Sequence, residues 1–116
     1  MMSVRRVVPN LPAAAREESV AFYGVLGLER LMDHGWITTL GSPANPVAQL
    51  SLMDEDRTAP VAPDLSIEVD DVDAVYAAFL ERGAEVVHPL TDEEWGVRRF
   101  FVRDPAGRVV NVLSHR

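Results

Sequence analysis

A pattern of elements that occurs twice is the feature of this 116-residue sequence that most limits its fold. Each half reads as a strand, a helix that ends at a glycine, and three further strands. Sliding the chain by 56 residues places Gly27 on Gly83. Because a module of half this length is too small to bury its own sheet, the repeat predicts two similar βαβββ modules that pack around a cleft. The predicted modules are residues 1–57 and 58–116.

Two segments have apolar residues at the spacing of an amphipathic helix. The first is Ala13–Leu26, and Gly27 is placed to end it. The second is Val72–Arg82, with Asp71 as its N-cap and Gly83 as its stop. These assignments place one helix in each module.

The end of the chain predicts a β-hairpin. Two runs rich in β-branched and aromatic residues, Val97–Val102 and Arg108–Leu113, flank the turn Asp104-Pro105-Ala106-Gly107. Pro105 presets φ at the first corner of a type I turn, and Gly107 accepts the positive φ that closes it.

The register of this hairpin decides which side chains share a face. A four-residue turn places Phe100 opposite Asn111 and Arg98 opposite Leu113. One face then carries a mixed polar and aromatic cluster of Arg98, Phe100 and Asn111, whereas Phe101 lies on the other face as core. We expect the function of the protein at the face with the cluster.

Composition excludes several classes of partner and chemistry. A net charge of −7 argues against a nucleic acid or an anionic membrane, because phosphate binding needs a basic surface. The sequence has no cysteine, which excludes disulfides, thiol catalysis and cysteine-ligated zinc. No apolar run approaches a membrane span, and Pro9 and Pro12 interrupt the short apolar stretch near the N-terminus, which argues against a signal peptide. We therefore predict a cytoplasmic protein.

Three motifs occur in an order and spacing that resembles a known family. They are Phe22-Tyr23 followed by Leu26-Gly27, the V-D-D-V-D-A start of the second predicted helix, and W-G-V-R-R-F-F-V-R-D-P-A-G near the C-terminus. Together they resemble the vicinal oxygen chelate superfamily, which contains glyoxalase I, extradiol dioxygenases, fosfomycin-resistance enzymes and bleomycin-resistance proteins. The resemblance is strongest for the small bleomycin-resistance-like members. It implies an α+β fold in which two βαβββ modules form a cupped mixed sheet around a cleft, in a homodimer.

The resemblance also implies four positions at which the metal enzymes carry His or Glu. In this sequence these positions fall on Val8, Gln49, Asp64 and Asn111. Only the Asp64 carboxylate is a good ligand for a divalent metal, the two amides are weak ligands, and Val8 has no donor atom. We therefore predict no metal and no cofactor.

Three other groups of residues allow a structural or a functional interpretation. The three histidines, His34, His88 and His115, show no metal-ligand spacing, and a structural or solvated role is expected for each, although His88 could reach the cleft. The acidic segment Asp92-Glu93-Glu94 is expected to be a solvated loop, with attraction of a cation as the alternative. Arg98 needs a partner if it is buried, and either Asp64 or a ligand anion fits that role.

Three functions remain open. The first is binding of a small molecule without metal, such as sequestration of an antibiotic or a metabolite, with Trp95 stacked over the ligand and Trp36 in the pocket wall or in the core. The second is a superfamily enzyme, glyoxalase-, lyase- or dioxygenase-like, with unusual metal ligands or with acid–base chemistry through Asp64 or His88. The third is a structural or regulatory dimer with a degenerate cleft. For the first function, the predicted ligand-binding residues are Trp36, Gln49, Ser51, Asp64, Trp95, Arg98, Phe100 and Asn111.

Overall fold

The computed structural model describes residues 3–56 and 58–116. Its elements, in chain order, are β1 (Val4–Pro12), α1 (Arg16–Gly24), β2 (Glu29–Asp33), β3 (Ile37–Ser42), β4 (Asn45–Met53), β5 (Leu65–Val69), α2 (Val72–Glu81), β6 (Val86–Asp92), β7 (Val97–Arg103) and β8 (Val109–His115). The order strand, helix and three strands occurs twice, which confirms the predicted α+β class. Among the described residues, neither helix is long and apolar enough to cross a membrane.

The chain divides into two compact units, and β1 belongs to both. The N-terminal unit is Val8–Ala62, with strand order β2-β3-β4-β1. The C-terminal unit combines Pro63–Arg116 with the chain up to Val7, and its strand order is β1-β5-β8-β7-β6. The boundary predicted between residues 57 and 58 stays a prediction, and residue 57 lies outside the described residues.

The two helices follow their sequence signals to different degrees. In α2 the Asp71 carboxylate accepts a hydrogen bond from the backbone N–H of Ala74 at 3.1 Å, as expected of an N-cap. The first helix is shorter than predicted, because it begins only at Arg16 and its N-cap residue, Ala15, makes no side-chain hydrogen bond. None of the residues of α1 is buried.

Each unit has its own apolar core. In the C-terminal unit, one face of the sheet packs against α2, and the buried residues are Val69, Val72, Phe100, Val102 and Val112. The Phe100 ring lies 4.8 Å from the ring of Tyr76 and 6.0 Å from the ring of Phe79, both on α2. The core of the N-terminal unit is smaller and is formed by Ala13, Leu40 and Leu52.

The predicted register of the last hairpin is wrong by one residue. Arg103 pairs with Val109, and the backbone N–H of Asp104 donates to the carbonyl of Arg108 at 2.8 Å, so Arg108 is part of the turn. As a result Phe101, not Phe100, lies opposite Asn111. A shift of one residue moves every side chain of a strand to the other face.

This shift reverses the predicted roles of the two phenylalanines. Phe100 and Arg98 lie on the face that carries α2, and Phe100 is core rather than part of a cluster with Asn111. Phe101 shares the opposite face with Asn111. The turn residues themselves behave as predicted, since Gly107 has a φ of 90°.

The Asp104 carboxylate closes the turn, and its titration should be visible in the stability of the fold. It accepts hydrogen bonds from the backbone N–H groups of Ala106 and Arg108 and from the Arg108 side chain. The hydrogen bond from the Arg108 side chain is the main reason that the pKa of Asp104 lies below its ordinary value of 3.8. Because the folded chain then binds this proton less readily than the unfolded chain, the stabilisation is complete at higher pH and is lost as the pH falls through the folded pKa.

We therefore expect the free energy of unfolding to fall between about pH 4 and pH 2, and to fall less steeply in Asp104→Asn. Urea denaturation across this range measures both slopes. Glu94→Gln, which removes an exposed carboxylate, is the control and should follow the wild type. Equal slopes for the wild type and Asp104→Asn would contradict the assigned role.

Candidate functional site

A row of four side chains crosses the C-terminal unit on the face opposite α2. Strand pairing places His88 of β6 beside Phe101 of β7, Phe101 beside Asn111 of β8, and Asn111 beside Ser66 of β5. We call these four residues the central row. Because paired residues of neighbouring strands point to the same side of a sheet, the row forms one continuous surface.

Asn111 is the buried polar residue at the middle of this row, with only 7% of its surface exposed. Its side-chain N–H donates to the Ser66 hydroxyl at 3.1 Å, which fixes the orientation of the amide. The Oδ1 atom is buried and has no hydrogen-bond partner within residues 3–56 and 58–116. A buried acceptor left unpaired costs about 1–3 kcal/mol, so this oxygen indicates a place where an external donor would bind.

His88 presents the second such atom. Its Nε2 is buried and lies 3.7 Å from Oε2 of Glu93, too far for a hydrogen bond, and no other partner for it occurs in the described chain. The imidazole ring packs against Phe101 at 5.1 Å. The register of β6 against β7 breaks on both sides of His88. Such bulges turn individual side chains to new directions and are common beside binding sites.

A buried ion pair adjoins the row. The Arg99 guanidinium donates through Nε to Oε2 of Glu93 at 2.7 Å, and the two side chains are only 4% and 8% exposed. The same guanidinium lies 4.8 Å from the centre of the Phe101 ring and 5.1 Å from the centre of the Trp95 ring. Trp95 is the outermost member of this stack and is 44% exposed.

Arg98, which the sequence placed in the cleft, is paired elsewhere. It donates to Asp73 of α2 at 2.8 Å and to Asp92 at 2.9 Å. These hydrogen bonds, first the one to Asp73, raise the pKa of Arg98, and the contact with Arg98 lowers the pKa of Asp73. The ion pair with Asp64, one of the two alternatives, is wrong, because Arg98 pairs with Asp73 and Asp92 instead. The Asp64 carboxylate accepts the backbone N–H of Val109 at 2.9 Å.

The predicted residues of the N-terminal unit have local partners. The Gln49 side-chain N–H donates to the carbonyl of Pro46 at 2.9 Å. The Ser51 hydroxyl is buried and lies 2.8 Å from the hydroxyl of Thr39. Trp36 is half-buried directly before β3, and its backbone carbonyl accepts the N–H of Asp54.

The four residues at the metal positions of the family do not fit a metal ion. Val8 is a buried hydrocarbon side chain, and the Asp64 carboxylate already accepts a backbone N–H. The amide oxygens of Gln49 and Asn111 are neutral and are weak ligands, so the four positions offer a single carboxylate. In the part of the chain that the structure describes, no group of three or more His, Asp or Glu residues is placed to hold a metal.

Comparison with known families assigns the chain. The family model of the Glyoxalase/Bleomycin resistance protein/Dioxygenase superfamily matches residues 8–112. The chain belongs to this superfamily. The match covers both βαβββ sets of elements, which agrees with the family that the sequence motifs resemble. A search of curated protein sequences finds no match to this superfamily member.

Solved structures share the fold of this superfamily member at low identity. A superfamily protein from Vibrio splendidus 12B01 is similar with a TM-score of 0.73 and 19% identity, over 97% of this chain and 99% of that one. A protein described as NAD-dependent benzaldehyde dehydrogenase from Legionella pneumophila gives 0.70 and 15%, over 95% and 99%. The Mn(II)-bound glyoxalase from Novosphingobium aromaticivorans gives 0.61 and 23%, over 96% of this chain but 38% of that one. These likenesses establish the fold.

Sequence reasoning missed the residues that make up most of this site. Phe101 was assigned to the wrong face with the register, Arg99 was not singled out, and Glu93 was expected in a solvated loop although it is buried. The residue that sets the register is Asp104. Its carboxylate accepts two backbone N–H groups and so lengthens the turn to include Arg108. Glu93 carried no comparable signal, because its neighbours Asp92 and Glu94 are exposed.

Proposed function

We propose that this superfamily member binds a small organic molecule on the central row, without a metal. The observation that carries the proposal is that two buried atoms of the same row, His88 Nε2 and Asn111 Oδ1, both lack hydrogen-bond partners among the described residues. Native proteins leave few such atoms, and a bound ligand is one explanation for two of them on one surface. Small-molecule sites are usually lined by aromatic and apolar side chains together with a few directional polar groups.

The proposed ligand-binding set changes with the register. Trp95 and Asn111 remain from the sequence prediction, and Arg99 and Phe101 take the places of Arg98 and Phe100 on the face opposite α2. Trp95 lies over Arg99, so we propose that its ring borders the ligand rather than stacking directly on it. Trp36, Gln49, Ser51 and Asp64, which the sequence also predicts, stay separate proposals and are not part of the central row.

The test is a ligand screen in which Asn111 is varied. We expect a thermal-shift screen of metabolites and antibiotics, bleomycin included, to yield a ligand whose affinity falls about tenfold in Asn111→Leu, since one net hydrogen bond contributes about 1.4 kcal/mol or less. Asn45→Leu changes an exposed asparagine of β4 and should bind as the wild type does. A ligand that binds the wild type and Asn111→Leu equally would place the site elsewhere.

One observation favours a second candidate, an enzyme that works by acid–base chemistry. An imidazole whose Nε2 is buried beside a buried carboxylate is an arrangement used in proton transfer, and His88 Nε2 lies 3.7 Å from Glu93 Oε2. Hydrogen bonds in such pairs are often long without substrate. Turnover of a ligand found in the screen, lost in His88→Gln, would favour the enzyme over the binding protein.

We also propose that the chain forms a homodimer through the C-terminal end of α1. Phe22, Val25 and Leu26 are exposed, with 86% of the Val25 surface accessible. Exposed apolar side chains that lie close together commonly mark protein interfaces. A cytoplasmic location, and the absence of nucleic-acid and membrane partners, remain predictions from charge and sequence.

Sedimentation velocity at micromolar concentration measures the oligomeric state. We expect a dimer for the wild type and a monomer for the double variant Val25→Glu with Leu26→Lys, because charges in an apolar interface would have to be desolvated. Val47→Glu, at another exposed valine, should remain dimeric. A wild-type monomer would refute the proposed assembly.

A further inference from the structure

We propose that the central row recognises an uncharged ligand that carries both a hydrogen-bond donor and an acceptor, such as a carboxamide or a hydroxyl, and that contacts Asn111 and His88. This inference rests on the proposed function and names the chemical class of its ligand. It follows from three features of the site: the donor and acceptor character of the two unpaired atoms, the charge balance around them, and the local geometry of β6.

The first feature is the character of the two atoms. Asn111 Oδ1 can only accept, because its amide N–H side is held by the Ser66 hydroxyl. His88 Nε2 faces the Glu93 carboxylate, which favours the tautomer with the proton on Nε2 and makes this atom a donor. A group that satisfies both atoms must therefore donate to one and accept from the other. Carboxamides and hydroxyls do so, whereas a carboxylate cannot donate and an ammonium cannot accept.

The second feature is the charge balance. The charged group that faces His88 Nε2 is Glu93, and Arg99 neutralises it in a pair with N–O distances of 2.6 and 2.7 Å. A ligand anion would lie against the Glu93 carboxylate while the nearest cation is already paired. A ligand cation would have to lose its water at a site that is nearly inaccessible to solvent. Both charged forms are therefore disfavoured relative to a neutral one.

The third feature is the backbone at His88. The strand register changes between Val86 and His88 and again between His88 and Thr91, so His88 is set apart from the regular pleat of β6. Pro89, which follows it, has no N–H to join the ladder. A bulge at this place turns the imidazole to the face that carries Asn111, with Phe101 between the two residues. The irregularity in β6 therefore directs the His88 side chain to this face.

The experiment uses three small probes that share a benzene ring: benzamide, benzoate and benzylamine. Each is titrated into the ¹⁵N-labelled full-length protein, and chemical-shift changes are followed at the backbone N–H groups of His88, Phe101 and Asn111 and at the Asn111 side-chain amide. We expect benzamide to shift these signals with an affinity at least tenfold higher than that of benzoate or benzylamine. We expect Asn111→Leu and His88→Phe each to weaken benzamide about tenfold, the size of one net hydrogen bond, and Asn45→Leu to leave it unchanged.

The outcomes separate this inference from the function on which it rests. If benzoate or benzylamine shifts the same signals as strongly as benzamide does, a small-molecule site exists but its ligand class is not the one inferred. If no probe shifts the central row, water alone satisfies His88 and Asn111, and both proposals fail. If benzamide binds the wild type and both site variants equally, the contacts assigned here are wrong. Because the comparison of probes is made on the wild type, a variant that does not fold leaves the test intact.

Discussion

Replacing Glu93 by alanine is expected to destabilise the protein by about 3–5 kcal/mol, because the change leaves the Arg99 guanidinium buried without its charge partner. Both side chains are almost fully buried, and Arg99 is enclosed between the rings of Trp95 and Phe101, so it cannot turn toward water without breaking that stack. Urea denaturation at neutral pH measures the free energy of unfolding of the variant and of the wild type.

Strand β7, which carries Arg99, also carries Arg103, and the ion pair of Arg103 supplies a matched control. Glu85 accepts a hydrogen bond from Arg103 Nε at 3.0 Å, but its side chain is 66% exposed. Glu85→Ala should therefore cost less than about 1 kcal/mol. The double variant Glu93→Leu with Arg99→Met should recover most of the loss, since an apolar pair of similar volume can replace a buried ion pair. A Glu93→Ala variant as stable as Glu85→Ala would contradict the burial of the pair.

Phe100→Ala is expected to cost about 3–5 kcal/mol of stability, as is usual for a fully buried phenylalanine. Its ring lies in the core beneath Tyr76 and Phe79 of α2, on the face away from Asn111. The variant should therefore bind benzamide with unchanged affinity under conditions in which it is folded. Thermal denaturation and the NMR titration measure the two effects separately.

Leu80→Ala, at an exposed leucine of α2, is the control for stability and should cost little. If Phe100→Ala instead weakened benzamide while the fold kept its stability, Phe100 would lie on the ligand face, as the sequence alone had indicated. The variant thus distinguishes the two registers of the last hairpin in solution.

Sequence alone was sufficient for the elements and their order, because those signals are local. Asp71 capped α2 as predicted, and the glycines at the ends of the helical patterns marked where the following strands begin. The family resemblance rested on the same local motifs, and it was confirmed over residues 8–112. Periodicity and turn chemistry therefore carried the fold class.

The site was less predictable because it depends on one residue of register. Pro105 and Gly107 are compatible with a four-residue turn and with the longer one. Only the contacts of the Asp104 carboxylate decide between the two turn lengths. Once Arg108 joins the turn, Phe100 and Phe101 exchange faces. The burial of Glu93 could not be read from an acidic segment, because its cause is Arg99, which lies on the next strand.

The pairing of the first strand limits the order in which the chain can fold. The backbone of Ser3 exchanges hydrogen bonds with Asp70, 67 residues later, and Arg6 lies 2.7 Å from Glu68. These early residues leave the ribosome long before their partners, so the start of β1 waits until most of the chain has been synthesised. A chain that ends at Ala62 would contain β1 but none of the partners of its first residues. The first half of the repeat therefore cannot complete these contacts when it is synthesised alone.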